Sequence, residues 1–281
     1  MKKTLILIVI FMSFCASALP QSIESLYKKG EEAMNKKEYD TALSYFNIIL
    51  RKKSDEADAH NSAGVIYMVY KDYDKAIEHF TKAIENKKDF SRAYSNRGAA
   101  YILKSDVENA FLDLNKALTL NPKDLMALNS LGTLYGYISK LPESFETFAK
   151  AEEYDPNYVD TYWNRGALYM NLDRYEEALA DANKAINANP SIAKSYYFRG
   201  TVYKYLENYD KAMEDYKKAE ELDPNDGEVF IRRGILNLAM GEYQKAVDDI
   251  EYGLKLKPDL WHDKTVLDYY KQAKENLTNK K

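Results

Sequence analysis

The chain has 281 residues, a formal net charge of −4, and 30% charged residues of both signs. The charges are interspersed. Without a basic stripe to track a phosphate backbone, a nucleic-acid partner is excluded. One cysteine, Cys15, cannot build a disulfide framework, and the length is ample for a large buried core.

Residues 1–18 have the form of an export signal. Met1-Lys2-Lys3 is a short positive region, Thr4 to Phe14 is apolar but too short to cross a bilayer comfortably, and Ala16-Ser17-Ala18 gives small residues where a signal peptidase reads. Cleavage after Ala18 is expected. It leaves residues 19–22 as a short lead and, with Lys2 and Lys3 gone, moves the formal net charge from −4 to −6. The expected location is periplasmic or secreted. The alternative is a lipid anchor on Cys15. Phe14 before it opposes this, because the residue preceding a lipidated cysteine is normally small. No later segment is apolar enough to span a membrane, so no integral span is expected in the mature chain.

From Ile23 the chain is periodic. Gly30, Gly64, Gly98, Gly132, Gly166, Gly200 and Gly234 are each 34 residues apart. They define seven units: 23–56, 57–90, 91–124, 125–158, 159–192, 193–226 and 227–260. Tyr67, Tyr101, Tyr135, Tyr169 and Tyr203 follow the glycine by three residues, and Ala42, Ala76, Ala110, Ser144, Ala178, Ala212 and Ala246 by twelve. Pro122, Pro156, Pro190, Pro224 and Pro258 close the last five units. Within a unit, apolar residues recur at three- and four-residue spacing on two stretches, for example Tyr94, Gly98, Tyr101 and then Ala110, Leu114, Ala117. Ser105-Asp106 between them is a turn and N-cap signal. Each unit therefore reads as a helical hairpin.

A glycine inside a helix costs about 1 kcal/mol relative to alanine. Seven of them cost on the order of 7 kcal/mol, comparable to the net stability of a domain. Close approach of the paired helices, nearly backbone to backbone and with the tyrosine filling the gap beside it, is the expected offset.

The unit length, small-residue places, tyrosine and closing proline resemble the tetratricopeptide repeat over residues 23–260. The resemblance implies an all-α fold: antiparallel helix pairs in a right-handed superhelical solenoid, with the first helix of each unit lining a concave groove. Departures fall mostly at the ends, with Ala33 and Asn237 at the tyrosine place, Ser54 and Lys88 at the proline place, and Gly253 at the place nineteen past the ladder glycine, where five units carry Ala83, Ala117, Ala151, Ala185 and Ala219. Residues 261–281 carry an apolar stripe of Val266, Leu267, Tyr270, Ala273 and Leu277, which reads as a C-terminal capping helix and tail.

Arg97, Arg165, Arg199 and Arg233 precede their glycines, and Asp113, Asp181, Asp215 and Asp249 lie sixteen residues beyond. The other three units lack both. A salt bridge joining the two helices of a unit explains this; the functional alternative is an anion site built from the arginines. No catalytic constellation, phosphate loop or cofactor motif is present, and no metal site is expected from His60, His79 and His262, although the first two share a unit. No enzyme activity and no cofactor are expected.

By the resemblance, the groove face holds Asn96, Asn129, Tyr137, Trp163, Asn164, Asn171, Tyr197, Phe198 and Tyr205. Asparagine amides can hold an extended backbone and aromatics supply apolar pockets. The expected role is a non-catalytic scaffold that binds a protein or peptide partner outside the cytoplasm; the alternative is an exported carbohydrate- or small-ligand-binding protein. The carboxylate clamp that some family members build from Lys, Asn and Arg over three units is not found.

Overall fold

The structure, a computed structural model, describes residues 22–279. The export-signal segment and Cys15 lie outside the described residues. Every regular element among the described residues is helical.

The helices form hairpins. They are α1 (Ile23–Asn35) with α2 (Tyr39–Lys52), α3 (Ala57–Val69) with α4 (Tyr73–Asn86), and α5 (Ser91–Leu103) with α6 (Val107–Leu120) in a first compact unit. The second unit holds α7 (Leu125–Tyr137) with α8 (Leu141–Tyr154), α9 (Val159–Asn171) with α10 (Tyr175–Ala188), α11 (Ala193–Tyr205) with α12 (Tyr209–Leu222), and α13 (Gly227–Ala239) with α14 (Tyr243–Leu256). A 3-10 helix, Pro258–His262, and α15 (Lys264–Asn279) complete it. Within each unit the hairpins stack on their chain neighbours.

The turn inside each hairpin explains why these sequences bend back so tightly. In the first, Lys37 is left-handed at φ 60°, its N–H donates to Met34 O, and the Glu38 N–H donates to Ala33 O. That is a Schellman motif, which satisfies two of the orphan carbonyls of the helix end. The same pair of bonds recurs around Lys71, Ser105, Ser139, Asp173, Glu207 and Gly241. Only the last is the glycine that this conformation favours. The second helix then starts at once. Asp72 and Asn208 accept from the backbone N–H three residues on, at 3.2 and 3.4 Å, as does Asp106 from Asn109.

The ladder glycines do admit a close approach, but chiefly of a side chain. A Cβ on Gly30 or Gly132 would lie 2.8 or 2.9 Å from the ring of Phe46 or Phe148; on Gly64 it would lie 2.5 Å from Phe80, and on Gly234 2.7 Å from Ile250. Leu114 and Tyr216 serve Gly98 and Gly200, and the Gly200 site also meets Ala212 O at 3.1 Å. The filler is thus the residue sixteen past the glycine, not the ladder tyrosine. Those tyrosines are half-buried and pack on second-helix side chains: Tyr169 stacks on Phe145 at 4.9 Å and Tyr67 on His79 at 5.2 Å. True backbone contact occurs at Gly227 and Gly253, where each Cβ would meet the other's carbonyl oxygen at 2.5 to 2.6 Å. Gly253 is therefore a fitted partner for Gly227, not a relaxed end position.

The C-terminal α-helix begins at Lys264, a few residues after position 261, where the sequence reading starts it. Pro258–His262 is 3-10, Trp261 is exposed, and Asp263 caps α15 by accepting from Thr265 N at 2.8 Å and Val266 N at 3.2 Å. Val266 then packs with Ile231, Ile250 and Leu254, and Ala273 with Leu238, Ala246 and Val247. This covers the open side of the last hairpin, as a cap must.

Candidate functional site

The four arginine–aspartate pairs are structural. In each, the guanidinium binds both carboxylate oxygens of the aspartate sixteen residues on, with bonds of 2.7 to 2.9 Å. Each arginine also reaches the second helix of the preceding hairpin. Arg97 donates to Thr81 and Arg199 to Asn183, both at 2.9 Å; Arg165 pairs with Glu152 at 2.8 Å and Arg233 with Glu220. One fork therefore ties three helices and commits three of the five N–H donors of each guanidinium to the protein itself. Where the pair is missing, other contacts fill the place. Lys29 lies over the Tyr45 ring, and His79 meets His60 with Nδ1 atoms 3.2 Å apart.

The histidine pair has a defined tautomer. His60 Nε2 lies 3.0 Å from Ser54 O, a pure acceptor, so it carries the proton and His60 Nδ1 accepts from His79. Burial, His60 and Lys82 push the His79 imidazole down to about 4, and burial also lowers His60. Among the described residues no three metal-ligating side chains come together.

The nine expected groove residues divide. Asn96 is buried and donates to Asn61 Oδ1 at 2.8 Å; Asn129 is buried and donates to Leu125 O and Thr161 Oγ1 at 2.8 and 3.0 Å. Both amides stitch first helices together, and burial removes them from any ligand surface. The others come together on α7, α9 and α11. Trp163, Asn164, Asn171, Tyr197, Phe198 and Tyr205 line an open cleft of about 580 Å³. Asn164 and Asn171 also border a second one, of about 460 Å³, with Tyr137.

Local sequence sets the cleft walls. Trp163 is held by its indole N–H, which donates to Ser195 Oγ at 3.2 Å. Phe198 is there because of a gap two helices away. The fifth unit has Ala182 where other units carry a large filler, and the Phe198 ring plugs that site instead, 2.8 Å from where a Gly166 Cβ would be. A change at Gly166 therefore reaches the cleft.

Sequence reasoning missed three cations here. Lys194 and Arg232 line the cleft of about 580 Å³; Lys204 and Arg232 line a third cavity of about 330 Å³ beside the C-terminal helix. Lys194 Nζ lies 4.0 Å from the Trp163 ring centre, Lys204 Nζ 4.4 Å from that of Tyr205, and the Arg232 guanidinium 5.3 Å from that of Tyr197. Their signal was present: lysine or arginine at places two, six and twelve of consecutive units, on the groove-facing side.

Tetratricopeptide repeat family models match residues 57–90, 91–124, 159–192 and 193–226. No curated protein sequence matches the chain. A tetratricopeptide repeat protein from Parabacteroides merdae has a similar structure, with TM-score 0.66 at 20% identity over 89% of this chain and 98% of that one. The APC/C hetero-tetramer Cut9-Hcn1 gives TM-score 0.66 at 17% identity over 89% of this chain and 48% of that one. These likenesses speak for the fold alone. The matched stretches are four whole units of the glycine ladder, folded as the hairpins described above, and the chain belongs to the tetratricopeptide repeat family.

Proposed function

We propose that this repeat protein is a non-catalytic scaffold that holds a peptide or protein segment in the cleft on α9, α11 and α13, and that it does so outside the cytoplasm. The observation that carries the reading is the convergence of five aromatic side chains (Trp163, Tyr175, Tyr197, Phe198 and Tyr205) and two asparagines on one open cleft. The Asn164 and Asn171 amides form no hydrogen bond to the described residues, so both donor and acceptor remain for an extended backbone. Residues 1–18 support export. Edman sequencing of the exported protein should begin at Leu19; recovery of an intact Met1 end from the cytoplasm counts against it.

The test is affinity capture by the mature chain beside a Trp163→Ala, Tyr205→Ala variant. Tyr205 is 47% exposed, so its removal spares the core, whereas Tyr197 packs with Ala212, Tyr216 and Leu236. Capture by the wild type and loss in a folded variant supports the reading. The rival is a glycan site, which the same aromatics would suit. It is disfavoured because Lys194 and Lys204 already lie against the Trp163 and Tyr205 rings on which a sugar would stack. Saturable glycan binding without any captured protein would establish the rival.

A further inference from the structure

We propose that a pocket of about 530 Å³ between α12, α13 and α14 receives one aromatic side chain, of tyrosine size, from a partner protein. None of its lining residues belongs to the cleft on α9, α11 and α13, so the two sites stand or fall separately. The pocket originates in a missing ring. The second to sixth units carry a tyrosine three residues past the ladder glycine, and the seventh carries Asn237. Asn237 is buried and turned to the arginine fork, donating to Asp249 Oδ2 at 2.9 Å, and it leaves the space of the ring unfilled.

What surrounds the ring elsewhere is kept here. In the sixth unit the Arg199 guanidinium and Lys211 Nζ lie 5.8 and 5.4 Å from the centre of the Tyr203 ring. One 34-residue period on, their counterparts are Arg233 and Lys245, and both line the pocket. In the fifth unit, Phe145 of the preceding hairpin stacks on Tyr169 at 4.9 Å. Two periods on, the counterpart of Phe145 is Met213, which also lines the pocket. Cations favour a ring face and thioethers favour ring contact, and the exposed Met240 adds a second sulfur to the wall. Charge does not select an ion. Lys217, Arg233 and Lys245 are matched by Glu242, Asp248 and Asp249, and Arg233 and Lys245 already pair with Asp249 and Glu242 at 2.7 and 3.3 Å. A neutral ring meets both cations without breaking either pair. In the second to sixth units the occupant of this place is itself a side chain, and it is half-buried, a depth that a residue presented from outside can reach.

The experiment uses the mature full-length chain with carbon-13 methionine methyls, the signals of Met213 and Met240 being assigned by Met213→Leu and Met240→Leu. It is titrated with a blocked Gly-Tyr-Gly peptide, with the same peptide carrying cyclohexylalanine for tyrosine, and with free p-cresol. The tyrosine peptide should move both methyl signals saturably. It should bind about two- to fivefold more tightly than the cyclohexylalanine peptide, which has a similar bulk and no π face. Asn237→Tyr restores the ring that five other units carry and should abolish the shifts. Lys245→Gln, at an exposed lysine, should narrow the ratio between the two peptides, and it serves as the test if Asn237→Tyr fails to fold. Equal binding of the two peptides, the lack of any saturable shift, or shifts that persist in folded Asn237→Tyr would overturn the proposal. Shifts with p-cresol but not with the tyrosine peptide would assign the pocket to a free phenol and overturn the side-chain occupant.

Discussion

At the residue scale, the arginine–aspartate forks are the interactions with most to lose. Arg165 and Asp181 are 8% and 3% exposed, so removing one partner strands a buried charge. Asp181→Ala should cost about 3 kcal/mol in chemical denaturation. Adding Arg165→Ala should recover part of it, giving a coupling of about 1–2 kcal/mol in a double-mutant cycle. Zero coupling would mean that the forks are ornaments. The histidine pair makes a pH prediction. Both imidazoles titrate lower folded than unfolded, so the folded state binds fewer protons between pH 6.5 and about 4. Stability is then complete above pH 6.5 and falls as pH drops through that window, by on the order of 1 kcal/mol for this largely buried pair. His79→Gln should flatten the slope; an unchanged slope contradicts the assignment. The forks were legible in the sequence because each arginine occurs only with its aspartate. The third helix each one reaches was not, because its acceptor changes from Thr81 to Glu152, Asn183 or Glu220.

At the element scale, the hairpin turn and the glycine contact carry the architecture. Helix starts could be read from the 34-residue phase. The left-handed turn residue could not, because six of the seven are not glycine. That suggests a stabilising change: Glu207→Gly should raise stability by about 0.5–1 kcal/mol, and Gly241→Ala should lower it by about 1 kcal/mol, measured by urea melts. A loss in the first or a gain in the second would contradict the turn assignment. The glycine contact was legible as a need for space but not as to what enters it. The large residues sixteen positions on were the available signal, and Ala182 is the exception that sends Phe198 across. Gly166→Ala should therefore shift Trp163 emission as well as cost about 1–3 kcal/mol. Gly64→Ala, which collides with Phe80 in the other compact unit, should destabilise and leave Trp163 emission unmoved.

At the scale of the whole molecule, the repeats do two kinds of work. Buried alanines, ring-filled glycines and arginine forks hold hairpins together, and they recur in phase, which is why the family could be read from one sequence. The cleft is not periodic. It gathers Trp163, Tyr205, Lys194 and Arg232, single residues at places that differ from unit to unit, and only their position on first helices marked them. Asn96 and Asn129 occupy comparable places and are buried, because burial at those places depends on the neighbouring hairpin, which a single unit's sequence does not disclose. The central claim is that this cleft, and not the repeat framework, recognises a partner. It is tested by measuring the affinity of a captured partner segment for the wild type and for Trp163→Ala, Tyr205→Ala at matched melting temperature. The account predicts a loss of tenfold or more, about 1.4 kcal/mol at the least; undiminished binding by the folded variant would contradict it.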